Sequence, residues 1–180
     1  MKLTVIYIII LTVILGVLAG CEQRIRPSIV EGMDADELPD QESWNSTIIV
    51  SNEGVVSAII KAGYIAMYSD KKITLLDDGV HVDFYNEEGE ITSILISDRG
   101  EVDDETQDLS GYGNVVIEGD DGTILETEEI HWVNETERIH TDKFVKITSP
   151  DEIIEGYGME SDAGLNNYTI YRVTGQTRVE

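Results

Sequence analysis

The chain has 180 residues, of which 36 are acidic and 12 are basic, so its formal net charge at pH 7 is −24. A surface this acidic repels nucleic acid, which excludes nucleic-acid binding from the expected functions. The single cysteine, Cys21, excludes an internal disulfide and any multi-cysteine zinc or iron–sulfur site. The acidic excess favours a solubilising surface, although attraction of cations or of a basic partner stays open.

The first segment of the chain is almost entirely apolar. Lys2 precedes an apolar run over residues 3–17, which is about the length of a signal-peptide core and short for a membrane-spanning helix. The run leads into Leu-Ala-Gly-Cys at residues 18–21, the lipobox pattern, in which small residues admit a peptidase and the thiol accepts a diacylglycerol. We therefore predict a signal peptide over residues 1–20 and lipidation at Cys21. The alternative is an uncleaved signal anchor with a chance cysteine.

Residues 21–43 are predicted to form a lipidated N-terminus and a flexible tether. The segment holds Pro27 and Pro39, an acidic stretch over residues 31–42, and few apolar side chains in any regular pattern. A flexible coil of about 22 residues separates its ends by roughly 25 Å on average. A domain that follows this tether would therefore stay close to the anchoring membrane.

Residues 44–180 have the pattern of one antiparallel β domain. Short runs rich in Val, Ile, Thr and Tyr alternate with turns that contain Gly, Asp or Asn. The turns recur about every 8 to 15 residues, which suits hairpins and leaves little room for helices. We expect about ten or more strands. The predicted turns lie at residues 52–54, 69–72, 77–79, 86–89, 98–100, 119–122, 134–136 and 149–151.

Hydrophobic alternation supports the strand assignment where it is clear. In residues 80–85 the apolar side chains fall on one face of a strand and the polar side chains fall on the other. Residues 55–68 are ambiguous, because the spacing of their apolar side chains also fits a short helix. Gly63 in the middle of this segment favours two strand pieces joined by a bend.

The chain carries no recognisable catalytic motif. The Gly-Tyr-Gly sequences at residues 111–113 and 156–158 lack the third glycine and the helix of a dinucleotide-binding turn, so they predict bulges or bends between strands. His81, His131 and His140 show no metal-ligand spacing and suit polar strand faces. The acidic turns lack the alternating ligands of a calcium loop. We therefore predict no catalytic residue, no metal site and no cofactor.

A series of short motifs runs through the domain between Trp44 and Gly175. The motifs lie at residues 57–63, 79–85, 97–100, 111–115, 125–128, 139–142, 154–159 and 171–175. Each motif is weak alone, but their order along the chain resembles that of the LptC family, the periplasmic component of lipopolysaccharide export. Many members of that family carry an uncleaved spanning helix, whereas this chain has a lipobox, so the choice of membrane stays open.

The resemblance implies a fold and a role. The fold is a twisted, partly open antiparallel β-jellyroll of the OstA-like type, whose interior accepts the acyl chains of lipopolysaccharide. The chain would take lipid from the subunits of an inner-membrane ABC transporter and pass it to an LptA-like β-jellyroll, without catalytic residues. We expect a periplasmic protein held by its lipid anchor, at the inner rather than the outer membrane.

Residues that face the lipid are predicted from the alternation alone, and an ordinary core position is the alternative for each. A different class of function also stays open, namely a β-sandwich surface lipoprotein that binds carbohydrate or another protein. Its platform would require a row of exposed aromatic side chains. The predicted lipid-binding residues are Ile48, Val50, Val82, Phe84, Ile94, Ile96, Val115, Ile117, Ile130, Trp132 and Phe144.

Overall fold

The computed structural model describes residues 38–178, so the predicted signal peptide, Cys21 and most of the predicted tether lie outside the described residues. The described part is all-β and contains no helix that is long and apolar enough to cross a membrane. It holds ten strands: β1 (Gln41–Asn52), β2 (Val55–Tyr68), β3 (Ile73–Tyr85), β4 (Ile91–Ser97), β5 (Arg99–Asp103), β6 (Leu109–Gly119), β7 (Ile124–Val133), β8 (Arg138–Thr148), β9 (Glu152–Asp162) and β10 (Tyr168–Arg178).

All the strand pairs are antiparallel and belong to one sheet. The order is β1-β2-β3-β4-β6-β7-β8-β9-β10, and the short β5 pairs with β3 and β6 beside β4. Because β4 and β5 are separated only by Asp98, they occupy the same position in the sheet as two pieces of one bent strand. The prediction of a twisted antiparallel β-jellyroll is confirmed.

The strands bend where their ladders slip out of register. A bulge of this kind leaves residues unpaired and bends the strand. Gly113 adopts φ +75° at one of these bends, and a Cβ there would lie 2.7 Å from Oδ2 of Asp98. The two Gly-Tyr-Gly sequences therefore mark bends, as predicted, since Gly158 also has a positive φ of 72°. The slips fall at Val50/Ser51, Ala62/Tyr64, Phe84/Tyr85, Tyr112/Val115, Thr127/His131, Thr141/Phe144 and Val173/Gly175.

Two of the predicted turns lie elsewhere than between hairpin strands. Residues 77–79 fall inside β3, where Asp78 and Gly79 are left-handed and form a bulge. The bulge packs against Gly63 of β2, at which a Cβ would lie 2.6 Å from the carbonyl oxygen of Asp78. Residues 98–100 mark the bend between β4 and β5. Residues 55–68 form one continuous strand, β2, whose pairing with β3 slips in register at Gly63, the position of the predicted bend. The strand assignment is therefore confirmed, the division into two pieces is not, and the helical alternative is wrong.

One face of the rolled sheet is the core. Its buried apolar residues form a continuous cluster from Val50 in β1 to Met159 in β9. A hydrogen bond joins β2 to the β7–β8 turn across the roll: the Ser57 hydroxyl donates to Oδ1 of Asn134 at 3.0 Å. Within residues 38–178, β1 and β10 each pair with a single neighbour, so the roll has two open edges.

Candidate functional site

Seven of the eleven residues predicted to contact lipid lie in the core, each at most 2% exposed. Ile48 is partly buried against the same cluster. These positions are also those of ordinary core residues, so their lipid-binding role stays a prediction. The seven are Val50, Val82, Phe84, Val115, Ile117, Ile130 and Trp132.

The remaining three predicted residues lie on the outer face of the roll. Ile94 is half-buried there, and Ile96 and Phe144 are 52% and 40% exposed. In β4 the fully buried apolar residue is Leu95. It was not among the predicted residues because this strand is apolar on both faces. Phe144 follows the bulge in β8, which changes the alternation on which its inward prediction depended.

An aromatic pair lies in the core near the ends of two strands. The rings of Phe84 in β3 and Trp132 in β7 have centroids 5.2 Å apart and are tilted by 55°. Two buried polar atoms of the inner face, Nε1 of Trp132 and Oγ of Ser161, have no hydrogen-bond partner among the described residues. An unpartnered buried polar group costs about 1–3 kcal/mol, so a ligand that supplies a partner here is favoured.

A cavity of about 280 Å³ opens to solvent beside the aromatic pair, and we call it the mouth. Its walls come from β2, the β3–β4 hairpin, the β7–β8 hairpin and the β9–β10 loop. A cavity of this size is at the lower end of the usual range for small-molecule sites, about 300–1,000 Å³. Residues around it include Ser57, Tyr85, Thr92, Thr136, Arg138 and Ala163, in addition to the two aromatic rings.

The outer face of β2 and β3 carries an ion-pair cluster. Nζ of Lys61 and Nε2 of His81 each lie 2.8 Å from an oxygen of Asp83, whose side chain is only 10% exposed. The hydrogen bond from Lys61, followed by that from His81, lowers the pKa of Asp83 below its usual value. The cluster joins two strands and stabilises the outer face.

A second polar chain crosses β6, β7 and β8. Nδ1 of His131 lies 2.8 Å from Oγ of Ser110, and its Nε2 lies 2.9 Å from Glu129. Glu129 also binds Nζ of Lys143 at 3.2 Å, so its charge is shared between two partners. This arrangement links three strands. No cluster of three or more potential ligands in residues 38–178 could hold a metal ion.

The two tryptophans do not form an exposed aromatic platform. Trp132 is 1% exposed in the core, whereas Trp44 is 63% exposed in the edge strand β1 and contacts Tyr64. The row of exposed aromatic rings that a carbohydrate platform requires therefore cannot include both tryptophans.

Comparison with known proteins identifies the family. No curated protein matches the chain. A family model described as "Lipopolysaccharide-assembly, LptC-related" matches residues 7–178, which is almost the whole chain. The match extends beyond the β-jellyroll into the N-terminal segment. The chain therefore belongs to the LptC-related family, whose members act in lipopolysaccharide transport.

Proposed function

We propose that the chain accepts lipopolysaccharide from an inner-membrane ABC transporter and passes it to the next β-jellyroll of a periplasmic bridge. The observation that carries the proposal is the mouth, a solvent-open cavity whose lining includes the buried rings of Phe84 and Trp132, so that it adjoins the packed apolar interior. Apolar surface that leaves water on binding contributes about 25 cal/mol per Å², and a fatty chain supplies such surface without any specific contact.

Trp132, which is part of the lining of the mouth, carries a polar group that suits an acyl chain with ester, amide or hydroxyl groups. The indole N–H of Trp132 lacks a partner among the described residues, and an acyl carbonyl oxygen at the mouth would accept its hydrogen bond. Pure hydrocarbon would leave this donor unpartnered. We therefore propose that the mouth binds the linkage region of a lipid and that the ends of its acyl chains enter the apolar interior of the roll.

The open edges of the roll suit transfer between successive jellyrolls. Strand β10 pairs only with β9 in the described part of the chain, and it presents Tyr171 and Val173 at 65% and 53% exposure. An unpaired edge strand offers main-chain donors and acceptors to a further strand. We propose that β10 pairs with the next jellyroll, while β1, which follows the predicted tether, lies toward the anchor.

We propose that acylation of Cys21 holds the domain at the inner membrane, with residues 1–20 removed as a signal peptide. Metabolic labelling with a radioactive fatty acid tests this directly. The wild-type chain should carry label, and the Cys21→Ser variant should carry none and should leave the membrane fraction. Label that persists in the variant, or a chain that retains residues 1–20, would contradict the proposal.

Photo-crosslinking tests the lipid-binding mouth. Tyr85 lines the mouth and is half-buried, and we replace it with the photoreactive residue p-benzoylphenylalanine. After irradiation in cells that export lipopolysaccharide, we expect a lipid adduct at this position. The matched control carries the same residue at Tyr112, which is half-buried on β6 away from the mouth.

The two positions give separate outcomes. An adduct at Tyr85 that exceeds the adduct at Tyr112 by about tenfold would support the mouth as the route of entry. Equal labelling at both positions, or no labelling at Tyr85 in a chain that is membrane-associated and folded, would refute it.

A further inference from the structure

We propose that the outer face of β8, β9 and β10 holds a second site, which binds a phosphorylated saccharide. In the lipid whose acyl part enters the mouth, this group is the headgroup, so the inference rests on the proposed function. The site is a cleft of about 710 Å³, within the size range of small-molecule sites. We call it the headgroup cleft. Six of the residues that line it are Arg138, His140, Tyr157, Gly158, Tyr171 and Arg172.

The headgroup cleft adjoins the mouth. Thr136 and Arg138 line both cavities, so a molecule that fills one has its neighbouring part at the entrance of the other. The two cavities differ in character: the mouth leads to the rings of Phe84 and Trp132, whereas the headgroup cleft carries arginine and tyrosine side chains. An amphiphile with an apolar part and an anionic part matches this pair of neighbouring cavities.

The lining of the headgroup cleft includes Gly158, whose left-handed backbone conformation glycine adopts without strain. Gly158 adopts φ +72°, and a Cβ at this position would lie 2.9 Å from Cδ2 of Tyr171. The ring of Tyr171 therefore lies directly on the β9 backbone. Its hydroxyl donates to Glu160 at 3.0 Å, which anchors the ring. The result is a flat aromatic wall that a sugar ring can contact with its apolar face.

Glu160 orients the guanidinium of Arg138, and the terminal N–H groups of that guanidinium have no partner among the described residues. Its Nε donates to Glu160 at 2.6 Å, and this bond lowers the pKa of the Glu160 carboxyl. The terminal nitrogens of its guanidinium donate to no other side chain or main-chain group among the described residues. A guanidinium fork is suited to phosphate, because two parallel N–H groups match two phosphate oxygens.

Arg172 supplies the second cation. Its guanidinium stacks on the ring of Tyr157, with Cζ 4.5 Å from the centroid. No carboxylate in residues 38–178 lies within 4.0 Å of it. Asp142 also lines the cleft, so the two arginines are set against two carboxylates, Asp142 and Glu160. An arginine held by stacking and without an anionic partner is available to an incoming phosphate.

The balance of charges in the headgroup cleft differs from the strongly acidic character of the whole chain. With 36 acidic and 12 basic residues, most of the surface repels a phosphorylated lipid. A cleft in which cationic groups match the acidic ones removes that repulsion locally. The anionic part of the lipid is therefore directed to β8–β10, beside the mouth and at the edge strand from which transfer is proposed.

The test compares two lipids with identical acyl chains. Full-length protein in detergent is titrated with bisphosphorylated lipid A and with the same lipid after enzymatic removal of both phosphates. The wild-type chain should bind the phosphorylated form about tenfold more tightly, and Arg172→Gln and Arg138→Gln should each reduce this ratio severalfold. The matched control is Arg99→Gln, which removes the same charge from an exposed position in β5 and should leave the ratio unchanged.

The outcomes separate the headgroup cleft from the mouth. Equal wild-type affinity for both lipids would overturn the headgroup cleft and leave the proposed function standing. Failure to bind either lipid would overturn both. Inorganic phosphate is used as a competitor, and displacement at concentrations comparable with those of the lipid would identify a simple phosphate site and overturn the saccharide assignment. A ratio reduced equally by Arg99→Gln would also overturn it.

Discussion

Strands β7 and β10 belong to one sheet but have opposite surroundings. In β7, Leu125, Ile130 and Trp132 are at most 1% exposed. No residue of β10 is buried, and its most exposed apolar residue, Tyr171, is 65% exposed. The difference arises because β7 has strand neighbours on both sides and core packing on its inner face, whereas β10 has one neighbour. The strand β7 is therefore fully paired and packed by residues of the same chain, whereas the edge strand β10 leaves a surface to which a partner can bind.

The largest expected effect is in the centre. Leu125→Ala removes three buried carbon atoms from a side chain that is 0% exposed, so the free energy of unfolding should fall by about 2–5 kcal/mol. Urea unfolding measures the change. Val173→Ala in β10 is the control and should cost less than about 0.5 kcal/mol. Similar losses at both positions would contradict the contrast between β7 and β10.

A smaller effect is expected where the edge strand meets the body of the sheet. A Cβ on Gly156 would lie 2.5 Å from the carbonyl oxygen of Arg172, so Gly156→Ala forces β9 and β10 apart. We expect the free energy of unfolding to fall by about 1–3 kcal/mol. Gly156→Ala should also accelerate amide hydrogen exchange more in β10 than in β7. Gly175→Ala is the control, because its new Cβ would meet only the flexible end of Glu155 at 3.3 Å. Faster exchange throughout the sheet would show that β10 is not a separate unit.

The ion-pair cluster on the outer face should contribute less. Asp83→Asn is expected to cost about 1 kcal/mol at neutral pH, since both partners of the carboxylate are partly exposed. Because the pKa of Asp83 is lowered in the fold, this stability is present above the unfolded pKa of about 4 and is lost as the pH falls through the folded pKa.

Urea unfolding is measured from neutral to acidic pH. The free energies of unfolding of wild type and Asp83→Asn should become equal in acid, where the carboxylate of Asp83 is protonated. Glu118→Gln, a change of the same charge at an exposed position in β6, should have little effect at any pH. A difference between wild type and Asp83→Asn that persists in acid would show that the effect is not carried by the ion pair.

The smallest effect on stability is expected at the edge itself, together with a clear effect on binding. Val173→Lys should change the free energy of unfolding by less than about 0.5 kcal/mol, because the side chain is 53% exposed. It should weaken the capture of an LptA-like jellyroll about tenfold, since a charge on an edge strand opposes strand addition. Ile91→Lys, at a 46% exposed position in β4, is the control. Equal weakening by both variants would argue against β10 as the docking edge.

The sequence predicted most of the hairpins because glycine, asparagine and aspartate favour turn conformations. The same residues also form bulges, which explains why residues 77–79 were predicted as a turn although they lie within β3. The inward face of β4 was predicted incorrectly because Ile94, Leu95 and Ile96 are all apolar. Where consecutive residues are all apolar, the pattern does not show which of them face the core. Leu95 is identified as the core residue only by its contacts across the roll.

The candidate sites were less predictable than the fold. Phe84 and Trp132 were both predicted as lipid-contacting residues, but their separation of 48 positions in the sequence does not indicate that their rings meet. Neither Arg138 nor Arg172 was predicted as a site residue, although Arg172 lies in the motif at residues 171–175, because a single arginine has no ligand-binding pattern. They line one cleft because β8, β9 and β10 are consecutive strands, and the ring of Tyr171 packs on Gly158 in the same cleft.

By itself, the sequence determined the all-β class, the inner face of β3 and the family resemblance, because turn chemistry and alternation are local properties of the chain. Only the tertiary structure determined at which bends the sheet rolls and which face of β4 is buried. It also determined that the mouth and the headgroup cleft share Arg138. These features depend on contacts between residues far apart in the sequence. A bulge that moves one strand by a single residue changes every such contact, and no local pattern records its position.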